Sequence, residues 1–278
     1  MKQETLFVAF STQKGGMGKT SVTVLTASYL HYVKGYNVAV VDCDFPQHSI
    51  VNERKRDTDL VLGNDYFKRL AYEQFRALGN AAYPVQESEA PDAVREAEAL
   101  MEKSEKPFDI IFFDLPGTLN TTGVVRTLAA MDYIFTPISA DRLVLESTLQ
   151  YATMLHDHII SQNKGNLKSL YLFWNMVDGR EKSPLYEAYE DAIAELGLTV
   201  MKTALPNSIR FRKEMPRTSC TCAWHSTSKA QVSIERGAIF RSTLFPPDKI
   251  LLKDSNIDEL SNEICHILKL GNNGNEQN

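Results

Sequence analysis

The sequence predicts an α/β fold, with a mostly parallel, twisted sheet and helices on both faces. Short runs rich in β-branched and aromatic residues alternate with stretches of helical periodicity. The short runs are apolar throughout, which is typical of strands that are covered on both faces. A glycine-rich segment separates the first apolar run from the first helical stretch, and α/β folds place ligand sites at such strand-to-helix turns.

Five strands and one shorter strand-like segment are predicted from apolar runs of strand length. They cover residues 5–10, 37–42, 108–114, 132–138 and 170–175, with the shorter segment at 83–86. Helical spacing begins at residues 22–33 and ends at Gly35. The other predicted helices are a surface helix within 80–107 and the segments 121–130, 141–162, 184–196 and 255–270. In the last helix, Asn256 and Glu259 are placed as a capping pair.

Composition favours one large cytoplasmic domain. The 278 residues are 43% apolar, and no Pro-, Gly- or Ser-rich stretch divides them. We therefore expect a single domain over residues 1–270 and a disordered tail over 271–278. The net charge of -5 argues against a chain that is basic throughout. Four cysteines are too few for a disulfide framework and predict a reduced protein. No signal peptide and no apolar stretch of membrane length is evident, so we expect a cytoplasmic protein without membrane insertion.

The segment "QKGGMGKTS" has the properties of a phosphate-binding loop. Glycines let successive backbone N–H groups converge on one anion, and the following helix adds its positive end. Lys19 would contact the β- and γ-phosphates, and the Thr20 hydroxyl group would bind Mg²⁺. The residues expected to bind the nucleotide are Gly15, Gly16, Met17, Gly18, Lys19, Thr20 and Ser21. The alternative is a glycine-rich turn with solvated lysines.

This loop differs from the ordinary P-loop in two respects. Gln13 stands where the first glycine is expected, and Lys14 is an additional lysine. In both respects the segment resembles the deviant Walker A loop of the ParA/MinD family of ATPases. In that family the first lysine reaches the partner subunit's phosphates in a nucleotide-sandwich dimer. The resemblance implies that Lys19 binds the chain's own ATP, that Lys14 acts on a neighbour's ATP, and that the ATP-bound form is a homodimer.

Two strands that end in aspartate extend the resemblance. "VVDCDFPQ" contains Asp42 and Asp44 at the end of a predicted strand, facing the ligand crevice. It resembles the family's D-x-D-P-Q element, lengthened by Phe45, which implies that Asp44 activates the attacking water and that Asp42 supports the magnesium shell. "DIIFFDLPGTL" matches a Walker B strand, whose aspartate, here Asp114, holds Mg²⁺ through water. Plain turn residues are the alternative for the first pair.

Two further segments resemble the part of the family's site that holds the base. Asn175 ends the strand "LYLFWN", and Pro206 lies in "LPNSIRF", which is similar to the family's I-P-R-N-V-R-L stretch with Asn207 in place of arginine. The alternative for both is a strand-end turn. The resemblance covers about residues 5–217. The ending "FRSTLFPPDKILLKDSN" is also similar to the ParA-like proteins, often called TraA, of conjugative elements in Bacteroides relatives.

A basic cluster and a cysteine-containing segment follow. Four basic residues of "RFRKEMPR" could contact DNA phosphates without sequence preference, as residues of this region do in ParA-like proteins; the alternative is a solvated charged surface. They are Arg210, Arg212, Lys213 and Arg217. Cys220, Cys222 and His225 lack a fourth ligand and the usual zinc spacing, so a polar loop is favoured over a metal site.

These observations support three functional hypotheses. The leading one is a ParA-like ATPase that dimerises on Mg-ATP and hydrolyses it to partition, position or transfer DNA, stimulated by an unidentified partner protein. The second is an ATP-dependent small-molecule ligase or kinase of the dethiobiotin-synthetase type, for which no acceptor-binding residues are evident. The third is a MinD-like membrane-positioning ATPase, which the acidic polar face of the last helix disfavours.

Overall fold

A seven-stranded sheet forms the centre of the computed structural model, which describes residues 4–118, 123–179, 183–212, 239 and 241–271. Within these residues every strand pairing is parallel. The strands are β1 (Leu6–Phe10), β2 (Val38–Asp42), β3 (Val85–Glu87), β4 (Ile110–Asp114), β5 (Tyr133–Ile138), β6 (Ser169–Trp174) and β7 (Thr199–Val200). Their order across the sheet is β3-β2-β4-β1-β5-β6-β7. The predicted α/β fold is confirmed.

Helices connect the strands and cover both faces of the sheet. In the described ranges they are α1 (Lys19–Ser28), α2 (Ser49–Gly63), α3 (Asp65–Leu78), α4 (Ala93–Lys103), α5 (Val124–Ala130), α6 (Arg142–Leu155), α7 (Ser183–Glu195), α8 (Lys249–Leu252) and α9 (Ile257–Leu268). Short π-helical segments continue α1 and α6, at Tyr29–Val33 and His156–Ile160. None of these helices has the length and apolar character that crossing a bilayer requires.

Side chains of β1 alternate between two apolar cores on opposite faces of the sheet. Val8 and Phe10 pack in the core that includes residues of α1 and α9, whereas Ala9 packs in the core that includes residues of α4, α5 and α6. All three are fully buried. β1 is covered on both faces, which explains why all of its residues are apolar.

The carboxyl edge of the sheet brings three strand ends together. β4 lies between β1 and β2, so Asp114 is in register with Phe10 on one side and with Asp42 on the other. The glycine-rich loop leaves β1 at this same edge. Parallel sheets bind ligands at the carboxyl ends of their strands, and the fold therefore places the two aspartate-ended strands beside the loop.

Residues 241–245, which we call the C-terminal strap, pack against α2. Asp57 of α2 accepts hydrogen bonds from the Ser242 hydroxyl group (2.9 Å) and from the backbone N–H of Thr243 (2.8 Å). Arg54 donates to the carbonyl of Thr243 at 2.9 Å. These contacts satisfy polar groups that are buried between the strap and the helix.

The fold differs from the sequence predictions in four elements that were not predicted, α2, α3, α8 and β7, and in one helix cap. Helix α2 was not predicted, because its buried face consists of Ile50, Glu53 and Asp57 and therefore lacks apolar periodicity. Helix α3 was missed although its buried residues, Phe67 and Ala71, have helical spacing. The predicted capping pair of α9 is wrong: Asn256 is in the left-handed conformation, and its side chain donates to the carbonyl of Ala204 instead of capping the helix. Of the predicted tail, residues 272–278 lie outside the described residues.

Candidate functional site

The glycine-rich loop, the end of β2 and the turn after β4 enclose a cavity of about 600 Å³ at the carboxyl edge of the sheet. We call it the loop cavity. The residues that line it are Gln13, residues 15–21, Asp44, Phe45, Gln47 and residues 116–118. The structure thus brings all of the predicted nucleotide-binding residues of the loop, from Gly15 to Ser21, together with one of the two predicted aspartates of β2.

The loop has the conformation of an anion cradle. Gly16 and Gly18 both adopt φ of +76°, a left-handed conformation that favours glycine. A Cβ atom added to Gly15 or Gly16 would meet no described atom within 4 Å, so this side of the loop is open. α1 begins directly after Gly18, and no described side chain caps it. Its first backbone N–H groups are therefore available to an anion.

The two lysines of the loop have different surroundings. Lys19 lines the cavity and donates to the carbonyl of Lys14 at 3.3 Å. Burial lowers the pKa of Lys19, and the carboxylates of Asp114 and Asp44 oppose that shift. The side chain of Lys14 is exposed and is not part of the cavity wall. Lys19 thus belongs to this chain's own cavity, whereas Lys14 is a solvent-exposed residue outside its wall.

Thr20 and Asp114 form a pair of oxygen ligands beside the cavity. The Thr20 hydroxyl group donates to Asp114 Oδ2 at 2.8 Å, and Asp114 Oδ1 is buried without a hydrogen bond from any described residue. Burial, followed by the charge of Asp42, raises the pKa of Asp114 to about 7. A hydroxyl and a carboxylate with an unsatisfied oxygen fit Mg²⁺, which prefers oxygen ligands and keeps several positions for water and phosphate.

The two aspartates of β2 differ in their contacts. Asp42 is fully buried, and its Oδ2 accepts from the backbone N–H groups of Ile50 (2.8 Å) and Val51 (3.0 Å) at the start of α2. Its Oδ1 accepts from the N–H of Asp44 at 3.2 Å. Asp44 itself lines the loop cavity, and burial raises its pKa while Lys19 opposes the shift. Asp42 therefore orients α2 and the backbone of Asp44, and its support of a metal shell stays a prediction.

A second cavity of about 210 Å³ adjoins the first, and we call it the side cavity. The two share Gly16, Gly18 and Ser21. The other lining residues of the side cavity are Val22, Asn175, Met176, Pro206, Asn207, Ser208, Phe211 and Arg241. Asn175 also donates to the carbonyl of Met17 at 2.8 Å, which fixes the loop. Both residues predicted at the base end of the site, Asn175 and Pro206, thus lie beside the loop.

The structure describes only part of the predicted basic cluster. Arg210 lies in a 3₁₀ turn (Ile209–Arg212), and its guanidinium group donates to the carbonyl of Lys253. Lys213 and Arg217 lie outside the described residues, and so do Cys220, Cys222 and His225. Among the described residues, no group of three or more His, Cys, Asp or Glu side chains is arranged to hold a metal ion.

One residue of the side cavity was not anticipated from the sequence. Arg241 of the C-terminal strap donates to the Ser21 hydroxyl group at 2.7 Å and pairs with Glu53 of α2 at 3.2 Å. No motif marks this arginine. Its position 220 residues after Ser21 means that only the folded structure brings the two together.

Comparisons with known proteins relate the chain to a family of nucleotide-binding domains. A family model, the CobQ/CobB/MinD/ParA nucleotide binding domain, matches residues 8–220. The chromosome-partitioning ATPase Soj of Thermus thermophilus is 28% identical over 232 residues, which cover 79% of this chain and 88% of that protein. The likeness to TraA proteins stays a prediction.

Two solved structures share parts of the fold. Cobyrinic acid a,c-diamide synthase from Mycobacterium smegmatis, bound to an ATP analogue and magnesium, overlaps with a TM-score of 0.49 and 21% identity, over 73% of this chain and 85% of that one. A ParA family ATPase from Chlorobium tepidum overlaps with a TM-score of 0.47 and 14% identity, over 75% of this chain and 88% of that one. The family model covers well over half of the chain, and the chain therefore belongs to the CobQ/CobB/MinD/ParA family of nucleotide-binding domains.

Proposed function

We propose that the chain is a ParA-type ATPase that binds Mg-ATP, dimerises around the bound nucleotide and hydrolyses it. The observation that carries the proposal is the contrast between the two lysines of one loop. Lys19 lines the loop cavity, whereas Lys14 is exposed and does not line it. A lysine that serves no phosphate of its own subunit is available to a phosphate bound by another.

Within one subunit, different residues of the loop cavity would bind the phosphates and the metal ion of a bound triphosphate. The backbone N–H groups of the loop and of α1 bind phosphate oxygens, and Lys19 adds a positive charge. Thr20 and Asp114 would hold the metal ion, Thr20 through its hydroxyl and Asp114 through the carboxylate oxygen that has no described partner. When bound, Mg²⁺ neutralises charge on the phosphate oxygens.

Asp44 has the position and chemistry to hold the attacking water. Its carboxylate lines the loop cavity, and the shift of its pKa by burial makes it a better proton acceptor than an exposed aspartate. Lys19 lies near enough to influence that pKa, so the acid and the phosphate-binding charge share one site. In our proposal Asp44 orients water toward the terminal phosphate, and the partner's Lys14 offsets the developing charge.

The cellular role that we propose is the movement or positioning of DNA, in partitioning or conjugative transfer. Two observations support it: the relative in Thermus thermophilus is a chromosome-partitioning ATPase, and the sequence carries the basic cluster around Arg210. Contacts to phosphates by such a cluster would be sequence-independent and would weaken steeply with salt. We further propose that an additional partner protein stimulates hydrolysis.

One experiment tests this proposal: ATPase rate and oligomer size measured with and without DNA, at two salt concentrations. We expect ATP to convert monomers to dimers, and DNA to bind the dimers more weakly at the higher salt concentration. ATP consumption that requires an added small carboxylate would instead favour the synthetase-type alternative. ATP-dependent sedimentation with anionic liposomes would favour the membrane-positioning alternative.

A further inference from the structure

Arg241 joins three parts of the molecule that are distant in sequence. It belongs to the C-terminal strap, it donates from Nη1 to Ser21 Oγ at 2.7 Å, and it lines the side cavity. Ser21 lies in the first turn of α1 and lines both cavities. Arg241 therefore contacts a residue that both cavities share.

The orientation of Arg241 is fixed by a buried carboxylate. Nε of Arg241 lies 3.2 Å from both oxygens of Glu53, whose side chain is only 3% exposed. The side chain of Arg241 is itself only 15% exposed. A guanidinium group paired in this way keeps one geometry, because its planar fork loses little freedom when it forms hydrogen bonds. Glu53 thus holds the arginine so that Nη1 points at Ser21.

We infer that Arg241 is a positioning residue for the nucleoside end of the nucleotide, an inference that rests on the proposed nucleotide binding. A ligand with a phosphate chain in the loop cavity and a flat ring in the side cavity would cross between them beside the residues that they share, which are Gly16, Gly18 and Ser21. Arg241 holds the Ser21 hydroxyl in place, forms part of the wall of the side cavity and adds positive charge beside the crossing point. Arg241 should therefore strengthen the binding of ligands that occupy both cavities, and not of ligands that occupy only the loop cavity.

The test compares a ligand that fills both cavities with one that fills only the loop cavity. Binding of Mg-ADP and of magnesium tripolyphosphate is measured by calorimetry on the full chain, for the parent and for Arg241→Met. We expect the variant to bind Mg-ADP about tenfold more weakly or worse, in line with loss of a charged hydrogen bond, and to bind tripolyphosphate as the parent does.

Two further variants separate positioning from folding. Arg54→Met is the matched control, since Arg54 also anchors the strap, through Thr243, but lines neither cavity. It should bind both ligands as the parent does. The double variant Arg241→Met with Glu53→Gln removes the buried charge that Arg241→Met alone would leave without this partner, and it should show the same selective loss.

Three results would overturn the inference while leaving nucleotide binding in place. They are no change in Mg-ADP affinity, an equal loss for Mg-ADP and tripolyphosphate, and the same selective loss in Arg54→Met. A parent chain that binds neither ligand would overturn the proposed function together with this inference.

Discussion

The hydroxyl group of Thr20 donates a 2.8 Å hydrogen bond to Asp114 and so joins the first turn of α1 to the end of β4. Asp114 is buried at the carboxyl edge of the sheet, and its second oxygen accepts no hydrogen bond from the described residues. An unsatisfied buried carboxylate oxygen costs free energy, and a divalent cation at this point would remove that cost. The pair is therefore the part of the site where metal binding can be tested separately from nucleotide binding.

Substitution of Thr20 should reduce the increase in ATP affinity that Mg²⁺ provides. In Thr20→Ala, the gain in ATP affinity on adding Mg²⁺ should fall by about tenfold or more, because one oxygen ligand is lost. Calorimetry with and without Mg²⁺ measures this gain directly. Thr23→Ala is the matched control, since the Thr23 hydroxyl group bonds to the carbonyl of Lys19 in the same helix and lines neither cavity. An unchanged magnesium gain in Thr20→Ala would show that the hydroxyl is not a ligand.

Removal of Lys19 should abolish detectable nucleotide binding. Its charge lies inside the loop cavity, where burial makes an interaction with phosphate stronger than it would be in water. Fluorescence titration with a labelled ATP analogue measures the loss in Lys19→Ala. Lys34→Ala removes an equal charge just beyond the π-helical continuation of α1 and should bind like the parent. Binding in Lys19→Ala that matches the parent would contradict the assignment of the cavity.

Substitution of Asp44 should separate catalysis from binding. Asp44→Asn keeps the shape of the side chain but removes the proton acceptor, so turnover should fall by about a hundredfold or more while Mg-ATP affinity stays close to that of the parent. Steady-state ATPase rates and calorimetry give the two quantities. Asp65→Asn, at a fully exposed position, serves as the control. A loss of affinity as large as the loss of turnover would mean that Asp44 binds the nucleotide and does not act on water.

Glu53 should give the stability of the protein a measurable pH dependence. Burial raises its pKa from 4.5 to about 7, with Arg241 opposing the shift. The folded chain then binds this proton more tightly than the unfolded chain, so the free energy of unfolding falls as pH rises from about 4.5 to about 7. Glu53→Gln removes this contribution, which is about 3 kcal/mol at most.

Urea denaturation of the parent and of Glu53→Gln near pH 5 and near pH 7.5 measures this contribution. The parent should lose more stability than the variant between the two pH values. Glu98→Gln, at an exposed position of α4, should follow the parent. Equal losses in the parent and in Glu53→Gln would show that Glu53 is already ionised at the lower pH.

The longer strands and the phosphate loop could be predicted from the sequence because their signals are local. β1, β2, β4, β5 and β6 are each one largely apolar run, and the glycines and lysines of the loop lie within six residues. The two-residue strand β7 is too short to give such a signal and was not predicted. The strap could not be predicted, because its contacts with α2 use buried polar groups such as Asp57, and polar residues give no apolar periodicity. The role of Arg241 could not be predicted for the same reason, since it depends on polar contacts with Glu53 and Ser21.

Complementation between two inactive variants shows whether Lys14 acts on the nucleotide of the partner subunit. Lys14→Ala should bind ATP but fail to hydrolyse it or to dimerise, because its own cavity is intact and the exposed lysine is lost. Asp44→Asn keeps Lys14 and lacks the water-orienting carboxylate. A mixed dimer of the two contains one complete site, formed by Lys19 and Asp44 of one subunit and by Lys14 of the other.

Equal mixing should therefore restore about a quarter of the parental ATPase rate per subunit, since half of the dimers are mixed and each has one complete site. If the mixture instead stays as inactive as either variant alone, or if Lys14→Ala by itself dimerises and hydrolyses ATP like the parent, Lys14 does not act across the dimer.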